Sequence, residues 1–396
     1  MIKSIKINNF KILYWDVNLD FKIDKRTHSK ENDFSYFDVL WDKLTKVLAI
    51  YWPNASWKTT ILEVIYLVAA YLSWDIDKLR KIRIWSNVFH KNEDIEFDIE
   101  FYVWNILYKY NLKINPNNFS IFYERLRKVE DKKHYIIFTR KNNTISIPIF
   151  TKKEENKILE KINFSSNLSV NTPLSIFLKD CDIVTNYFKK LNLIKPLNIF
   201  QAPMIDHMLL PRLYEDLSSE NKQRILDSFK EADFSIENIE IKKELIPWWE
   251  SFQIFIIHNV NWKKFKFPIV DESYWTAQFL AYLSYFFYLK EKGGGVILID
   301  EFDSSLHPLL LNNLLKFFIS DYNDNIQIIF NTHDISILYE KALFKDQIWF
   351  IDKDPENIEH KIFYKLSDFW KELRDEYDWL KMYMLGELWA TPILLN

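Results

Sequence analysis

Four short stretches of this chain combine residue types and spacings that suit chemistry on a phosphate. The first is Trp52-Pro53-Asn54-Ala55-Ser56-Trp57-Lys58-Thr59-Thr60. Read with glycine at 52 and 57, it becomes a phosphate-binding loop between a strand and a helix, the context such a loop requires. Its backbone N–H groups wrap phosphate oxygens, and the helix N-terminus adds its positive end. Lys58 then holds the β- and γ-phosphates of ATP, and Thr59 ligates Mg²⁺. The second is Val296-Ile297-Leu298-Ile299-Asp300-Glu301. Four apolar residues deliver an acidic pair to the C-terminal end of a strand. Asp300 is the candidate that binds Mg²⁺ through water, and Glu301 the general base that polarises the attacking water. The third is the buried strand pattern Ile326–Asn331 followed by Thr332-His333-Asp334, with His333 as a γ-phosphate sensor. The fourth is Glu272-Ser273-Tyr274-Trp275-Thr276, ahead of a long apolar helix. With glycine at 275 it is a Ser-x-Gly-Thr turn, and Ser273 and position 275 can meet phosphate oxygens through a hydroxyl and backbone N–H groups.

Each stretch also has a plainer reading. Lys-Thr-Thr fits an ordinary turn, Asp300-Glu301 a solvated strand end, His333 a surface loop, and 273–276 a simple Ser/Thr helix cap. An acidic pair after an unbroken apolar strand is the least ordinary of these, and it supports the reading of the first loop.

The elements that must carry these residues alternate. Lys46–Tyr51 reads as a strand inside a parallel sheet. Thr60–Ser73 is apolar nearly all round, hence a buried helix. Val296–Ile299 and Ile326–Asn331 are further buried strands, with a helix at Pro308–Ile319 between them. Ile335–Lys341 and Ile348–Ile351 continue the alternation. Strands alternating with helices at both ends predict an α/β core whose sheet is assembled from the two ends of the chain. Between these ends, Ile95–Ile149 alternates as an antiparallel β lobe, and Lys152–Leu245 reads as mainly helical. The organisation expected is residues 1–150 as an N-terminal half with the phosphate loop and β lobe, 151–250 as a helical insertion, and 251–396 as a C-terminal half. No period suits a solenoid, and no heptad run suits a long coiled coil.

Composition narrows the class. The chain has 396 residues, 48% hydrophobic and 27% charged, so a disordered or fibrous chain is excluded. The net charge of −3 argues against a wholly electrostatic nucleic-acid binder. Cys181 is the one cysteine, which suits a reducing cytoplasm. No secretory pattern opens the chain, and the apolar stretch Ala277–Leu289 is too short to span a bilayer.

Two counts are abnormal. There are 4 glycines and 15 tryptophans, where average usage gives roughly 28 glycines. Several tryptophans stand where turn chemistry asks for glycine. Asn261-Trp262 separates two strand patterns, where Asn-Gly is the strongest hairpin signal. Trp104-Asn105 does the same after Ile95–Val103, and Trp248-Trp249 follows Pro247. The economical explanation is a codon read as glycine in the source and rendered here as tryptophan. Trp349, in an apolar strand, reads as genuine. A bulky residue at 57 pushes the loop off the phosphate, so the chain as written is expected to bind nucleotide poorly.

Together the residues resemble the ATPase heads of the ABC/SMC-like branch of P-loop NTPases. Within it they look like bacterial AAA-family ATPases of AbiEii/AbiLii- or RloA-like abortive-infection type. The resemblance is carried by Asn9-Phe10-Lys11, the loop 52–60, Ala232–Glu237, Glu272–Thr276, Ile299–Pro308, Asn331–Asp334, Gln347–Asp352 and Tyr383–Leu394, where Trp389 falls at a glycine position of the family. It implies a mixed sheet flanked by helices and a homodimer that sandwiches ATP. There Ser273 and position 275 complete the partner's site, and His333 is the switch histidine. Asp303 and His307 fall in the segment expected to cross the interface, and Gln201 is a weak match to the Gln-loop glutamine. The function implied is an ATP-hydrolysing switch coupled to an effector or nuclease partner in cytoplasmic antiviral defence, with no membrane association. Two alternatives stay open. One is a DNA-associated clamp, motivated by the basic stretches Lys78–Arg83 and Arg125–Lys133. The other is a degenerate binding module, which applies if Trp52 and Trp57 are real.

Overall fold

A computed structural model describes the chain except at residues 15–16, 24–34, 52–57, 83, 88–89, 163, 196–203, 234, 247–248, 305, 354–360, 370–378 and 385–396. Its centre is a six-stranded mixed sheet. The strands run in the order Asn192–Ile194, Gly295–Ile299, Ile326–Thr332, Val47–Tyr51, Ile348–Lys353 and Lys361–Lys365. The first five are parallel and the last is antiparallel. Every residue of Val47–Tyr51, Gly295–Ile299 and Ile326–Thr332 is buried. Parallel strands covered on both faces read as near-continuous apolar runs, with Gln327 the interior polar exception here.

Helices supply the cover. Lys58–Ser73 buries Ile61, Leu62, Val64, Ile65, Leu67 and Val68 completely. Tyr274–Glu291 buries Leu280 and Phe286, and Pro308–Ile319 buries Leu311 and Leu315. The helix Pro308–Ile319 begins with His307 as its cap: the ring Nδ1 accepts the Leu309 N–H at 3.2 Å, and Pro308 fills the first helical position.

A second, seven-stranded antiparallel sheet joins the chain's first strands, Ile2–Asn8 and Val17–Asp20, to the lobe between Ile95 and Ser146. The two sheets are tied through Gln327. Its side chain accepts the Ile2 N–H at 2.6 Å and donates to the Ile2 carbonyl at 3.0 Å and the Thr45 carbonyl at 3.3 Å. A buried amide with all these partners is satisfied, so its burial is not costly.

The segment 152–245 needs a correction. Helices occupy Lys152–Leu159, Lys179–Lys189, Met204–Glu215 and Ser219–Ala232, but Ile236–Ile246 is a strand. It opens a three-stranded antiparallel sheet with Trp249–Val260 and Lys263–Pro268. The register shifts between Ile236 and Asn238. That irregularity offsets Ile236 from the period-two alternation of Ile239, Ile241 and Leu245, in which Lys243 takes an apolar position.

The turns bear on the tryptophan question. Asn261 and Trp262 have φ of +51° and +65°, a left-handed pair at the hairpin tip, and Trp262 is 95% exposed. Trp104 has φ +51° at its hairpin. Trp74 has φ +51° just past the helix Lys58–Ser73, where the Asp75 N–H closes back onto the Ala70 carbonyl at 3.1 Å. That is the helix-ending position at which glycine is preferred. Gly294 shows the same need met: its φ is +88°, and a Cβ there would lie 2.4 Å from the Asn325 carbonyl oxygen. Pro247 and Trp248 lie outside the described residues.

Candidate functional site

The topology delivers the acidic and histidine motifs, with Lys58–Thr60 of the first, to the C-terminal side of the central sheet. Val47–Tyr51 and Gly295–Ile299 flank Ile326–Thr332 in parallel, in register at Tyr51 with Thr332 and at Ile299 with Phe330. Their C-terminal ends therefore lie together. In an open α/β sheet the crevice at the carboxyl ends of the strands is where ligands sit.

Hydrogen bonds join the segments that leave these strand ends. Thr59, in the first turn of the helix Lys58–Ser73, donates its hydroxyl to Asp300 Oδ1 at 3.0 Å and Oδ2 at 2.9 Å. Asn331 donates Nδ2–H to Asp300 Oδ1 at 2.6 Å. The Asn331 side-chain oxygen accepts the Glu301 N–H at 2.5 Å. Glu301 has φ +51° and its side chain is exposed. A non-glycine residue in that conformation is held by its surroundings. Here the holders are the Asn331 side chain and, one residue on, the Phe302 N–H bonded to the Asn331 carbonyl at 3.0 Å.

The loop after Ile326–Thr332 is fastened in the same way. Asp303 accepts the Thr332 hydroxyl at 2.7 Å and the His333 N–H at 3.1 Å. The exposed His333 is thus anchored through its backbone to the acidic segment. Tyr51 donates its hydroxyl to the Asp334 carbonyl at 2.9 Å. Burial first, then the nearby Asp334 and Asp303, push the Tyr51 phenol well above its ordinary value, so it stays a donor. Burial does the same to Tyr282, which reaches Gln278 at 2.8 Å.

The residues fit the group that the motif implies. A hydroxyl and a carboxylate within 3 Å of each other are hard oxygen donors, the kind Mg²⁺ takes alongside phosphate oxygens and water. Among the described residues no cluster of three or more His, Cys, Asp or Glu side chains could hold a metal unaided.

Not every expected residue is brought here. Residues 52–57, hence Trp52, Pro53, Asn54, Ala55, Ser56 and Trp57, lie outside the described residues, as do Gln201 and Trp389. Lys58 begins the helix and Thr60 is buried behind Thr59. Ser273 belongs to a separate element. It caps the helix Tyr274–Glu291, accepting the Thr276 N–H at 3.4 Å, with its hydroxyl 2.7 Å from that of Thr276. Trp275 lies in the first turn of that helix, half-buried against Phe229 and Phe279. Its backbone is ordinary helix, so no left-handed φ demands glycine there. Sequence reasoning overlooked Asn331 as a site residue and the anchoring role of Asp303. The signal for Asn331 was present: an amide near the end of a strand buried on both faces must find partners.

Residues 47–338, well over half of the chain, match the family described as "AAA domain, putative AbiEii toxin, Type IV TA system". The chain belongs to that family, and so among ATPase-type nucleotide-binding domains. No curated protein matches it in sequence. Among solved structures, it is similar to an SMC head bound to the C-terminal winged-helix domain of ScpA, at 14% identity, TM-score 0.49, over 93% of this chain and 99% of that one. It is also similar to the SMC head domain of Thermotoga maritima, at 11% identity, TM-score 0.44, over 92% and 98%. A third is a Pyrococcus furiosus SMC head with an extended coiled coil, bound to the C-terminal domain of ScpA, at 14% identity, TM-score 0.44, over 98% and 99%. Among the described residues no helix is long and apolar enough to cross a membrane.

Proposed function

We propose that the chain is an ATP-hydrolysing switch that dimerises on ATP and reports its state to a partner effector or nuclease in bacterial abortive infection. The observation that carries this reading is the Thr59–Asp300–Asn331 cluster. It joins the start of the phosphate-loop helix to the acidic strand end. A bound Mg²⁺ would supply charge neutralisation on the β- and γ-phosphates. Thr59 and Asp300 hold its position. Lys58 binds the phosphates. Glu301, presented by its pinned turn, orients and deprotonates the attacking water. His333 senses the γ-phosphate, and its backbone bond to Asp303 connects that sensing to the acidic segment. Ser273 and position 275 act on the nucleotide of the second subunit.

The reading includes glycine at 52, 57, 74, 104, 262 and 275 in the protein the cell makes. Three tryptophans in left-handed turns, at positions that favour glycine, support it. Sequencing the native Lys58 peptide by mass spectrometry tests this point. Glycine at 52 and 57 is the expected result, and tryptophan at both would turn the chain into a degenerate binding module. The switch itself is tested in the glycine form by light scattering. Glu301→Gln with ATP and Mg²⁺ should accumulate a dimer that the parent forms only transiently. A monomer under all nucleotide conditions sinks the reading.

A further inference from the structure

A second polar chain lies away from the sheet edge. His258 sits in the middle strand of the three-stranded sheet. Its Nε2 is 2.9 Å from Glu272 Oε1, and its Nδ1 is 2.8 Å from Ser235 Oγ. The His258 and Glu272 side chains are only 15% and 10% exposed. The Phe267 ring meets the imidazole edge to face at 5.8 Å. Ser235 is fixed in turn: its N–H bonds Asp233 Oδ1 at 2.8 Å, and its carbonyl accepts the Asn259 N–H at 2.7 Å. Glu272 immediately precedes Ser273, the cap of the helix Tyr274–Glu291.

The trio has the residue types of a hydrolytic triad but the wrong order. In such a triad the carboxylate holds Nδ1 and the serine faces Nε2. Here the two are exchanged, and the Ser235 N–H, an obvious donor to an oxyanion, is spent on Asp233. The chain is suited to holding position instead. An ionised carboxylate only accepts, so Nε2 donates to Glu272 while Nδ1 shares a hydrogen bond with the Ser235 hydroxyl. One imidazole thereby links three separate segments: the turn after the helix Ser219–Ala232, the middle strand, and the turn that opens Tyr274–Glu291.

We infer that His258 is a positioning residue that holds the Glu272-Ser273 turn against the three-stranded sheet and so sets where Ser273 meets a second subunit's phosphate. The inference rests on the reading of Ser273 as a phosphate-facing residue and adds what aims it. A Ser273 displaced by about 1 Å loses most of its effect, since misplacements of that size cost about 10²-fold in rate.

The test uses the full chain in its glycine form, with ATP as the probe. His258→Ala should lower turnover about 10- to 100-fold and leave ATP binding by the separate subunit unchanged. His258→Gln, which keeps a donor toward Glu272, should fall between. Mixing His258→Ala with the inactive Lys58→Ala should recover turnover, because one composite site then pairs an intact phosphate loop with an intact Ser273 turn. A misfolded His258→Ala chain could not complement in this way. Unchanged turnover in His258→Ala, loss of its own ATP binding, or mixed dimers no better than either variant would overturn the inference while the switch reading stands. An inactive parent, or an active Lys58→Ala, overturns the switch reading and the inference with it.

Discussion

Two buried carboxylates make the instructive comparison. Asp300 accepts a threonine hydroxyl and an asparagine amide at the open edge of the central sheet. Glu124 lies in the antiparallel lobe and accepts the Tyr110 hydroxyl at 2.9 Å, the Val170 N–H at 3.1 Å and the Ser169 hydroxyl. Both are held by short-range donors. Asp300 keeps 7% of its surface exposed at a strand end, whereas Glu124 has none. Close by Glu124, Arg140 is also fully buried and spends its guanidinium on the Asn142, Leu168, Ser165 and Ser166 carbonyls. Hydrogen bonding alone therefore does not mark a site. What separates the two is the strand end, which leaves Asp300 partly exposed beside the start of the helix Lys58–Ser73, while lobe packing seals Glu124.

The comparison breaks if substitutions at the two carboxylates act alike. Asp300→Asn in the glycine form should lower Mg²⁺-dependent turnover by about 10²-fold or more, several kcal/mol on the barrier. Its thermal midpoint should barely move, because the amide keeps an acceptor for Thr59. Glu124→Ala should do the reverse. It orphans three donors at about 1 kcal/mol each, so a loss near 3 kcal/mol in denaturant unfolding is expected, with specific turnover of the folded fraction retained.

A smaller effect sharpens the glycine reading. Trp262→Gly removes a left-handed cost at a nearly fully exposed hairpin tip and should stabilise the chain by about 1 kcal/mol. Trp349→Gly is the control. Trp349 is 5% exposed, and stripping a core aromatic costs about 3 kcal/mol or more. Stabilisation at both positions would sever the link between backbone conformation and glycine.

The subtlest expectation concerns pH. Burial raises the Glu124 carboxyl above its ordinary value, opposed by bonds from Ser169, Val170 and Tyr110 and by the charge of Arg140. A carboxyl raised in the folded state favours folding while protonated. That contribution is lost as pH climbs from the ordinary glutamate value through the raised one. Melting curves across that window should decline more steeply for the parent than for Glu124→Gln.

The central strands were legible because burial on both faces writes a strand as an apolar run, and the helix Pro308–Ile319 because His307-Pro308 announces its start. Asp300, Glu301 and His333 were legible for the same reason: packing alone rarely places polar residues directly at the ends of such runs. The strand Ile236–Ile246 was not, because Ile236 is offset by the register shift and Lys243 interrupts the alternation of Ile239, Ile241 and Leu245. Trp74 escaped notice because a helix-ending residue carries no pattern of its own once its glycine is disguised. His258 was invisible for a third reason: its partners, Ser235 and Glu272, are brought together only by the sheet.

The central claim is that the edge gathering Thr59, Asp300 and Glu301 hydrolyses ATP. Steady-state phosphate release by the glycine form, with Mg²⁺ and with EDTA, tests it most directly. Turnover should need Mg²⁺ and drop at least about 10²-fold in Glu301→Gln. A folded, glycine-bearing chain that releases no phosphate, or one whose turnover survives Glu301→Gln, would contradict it.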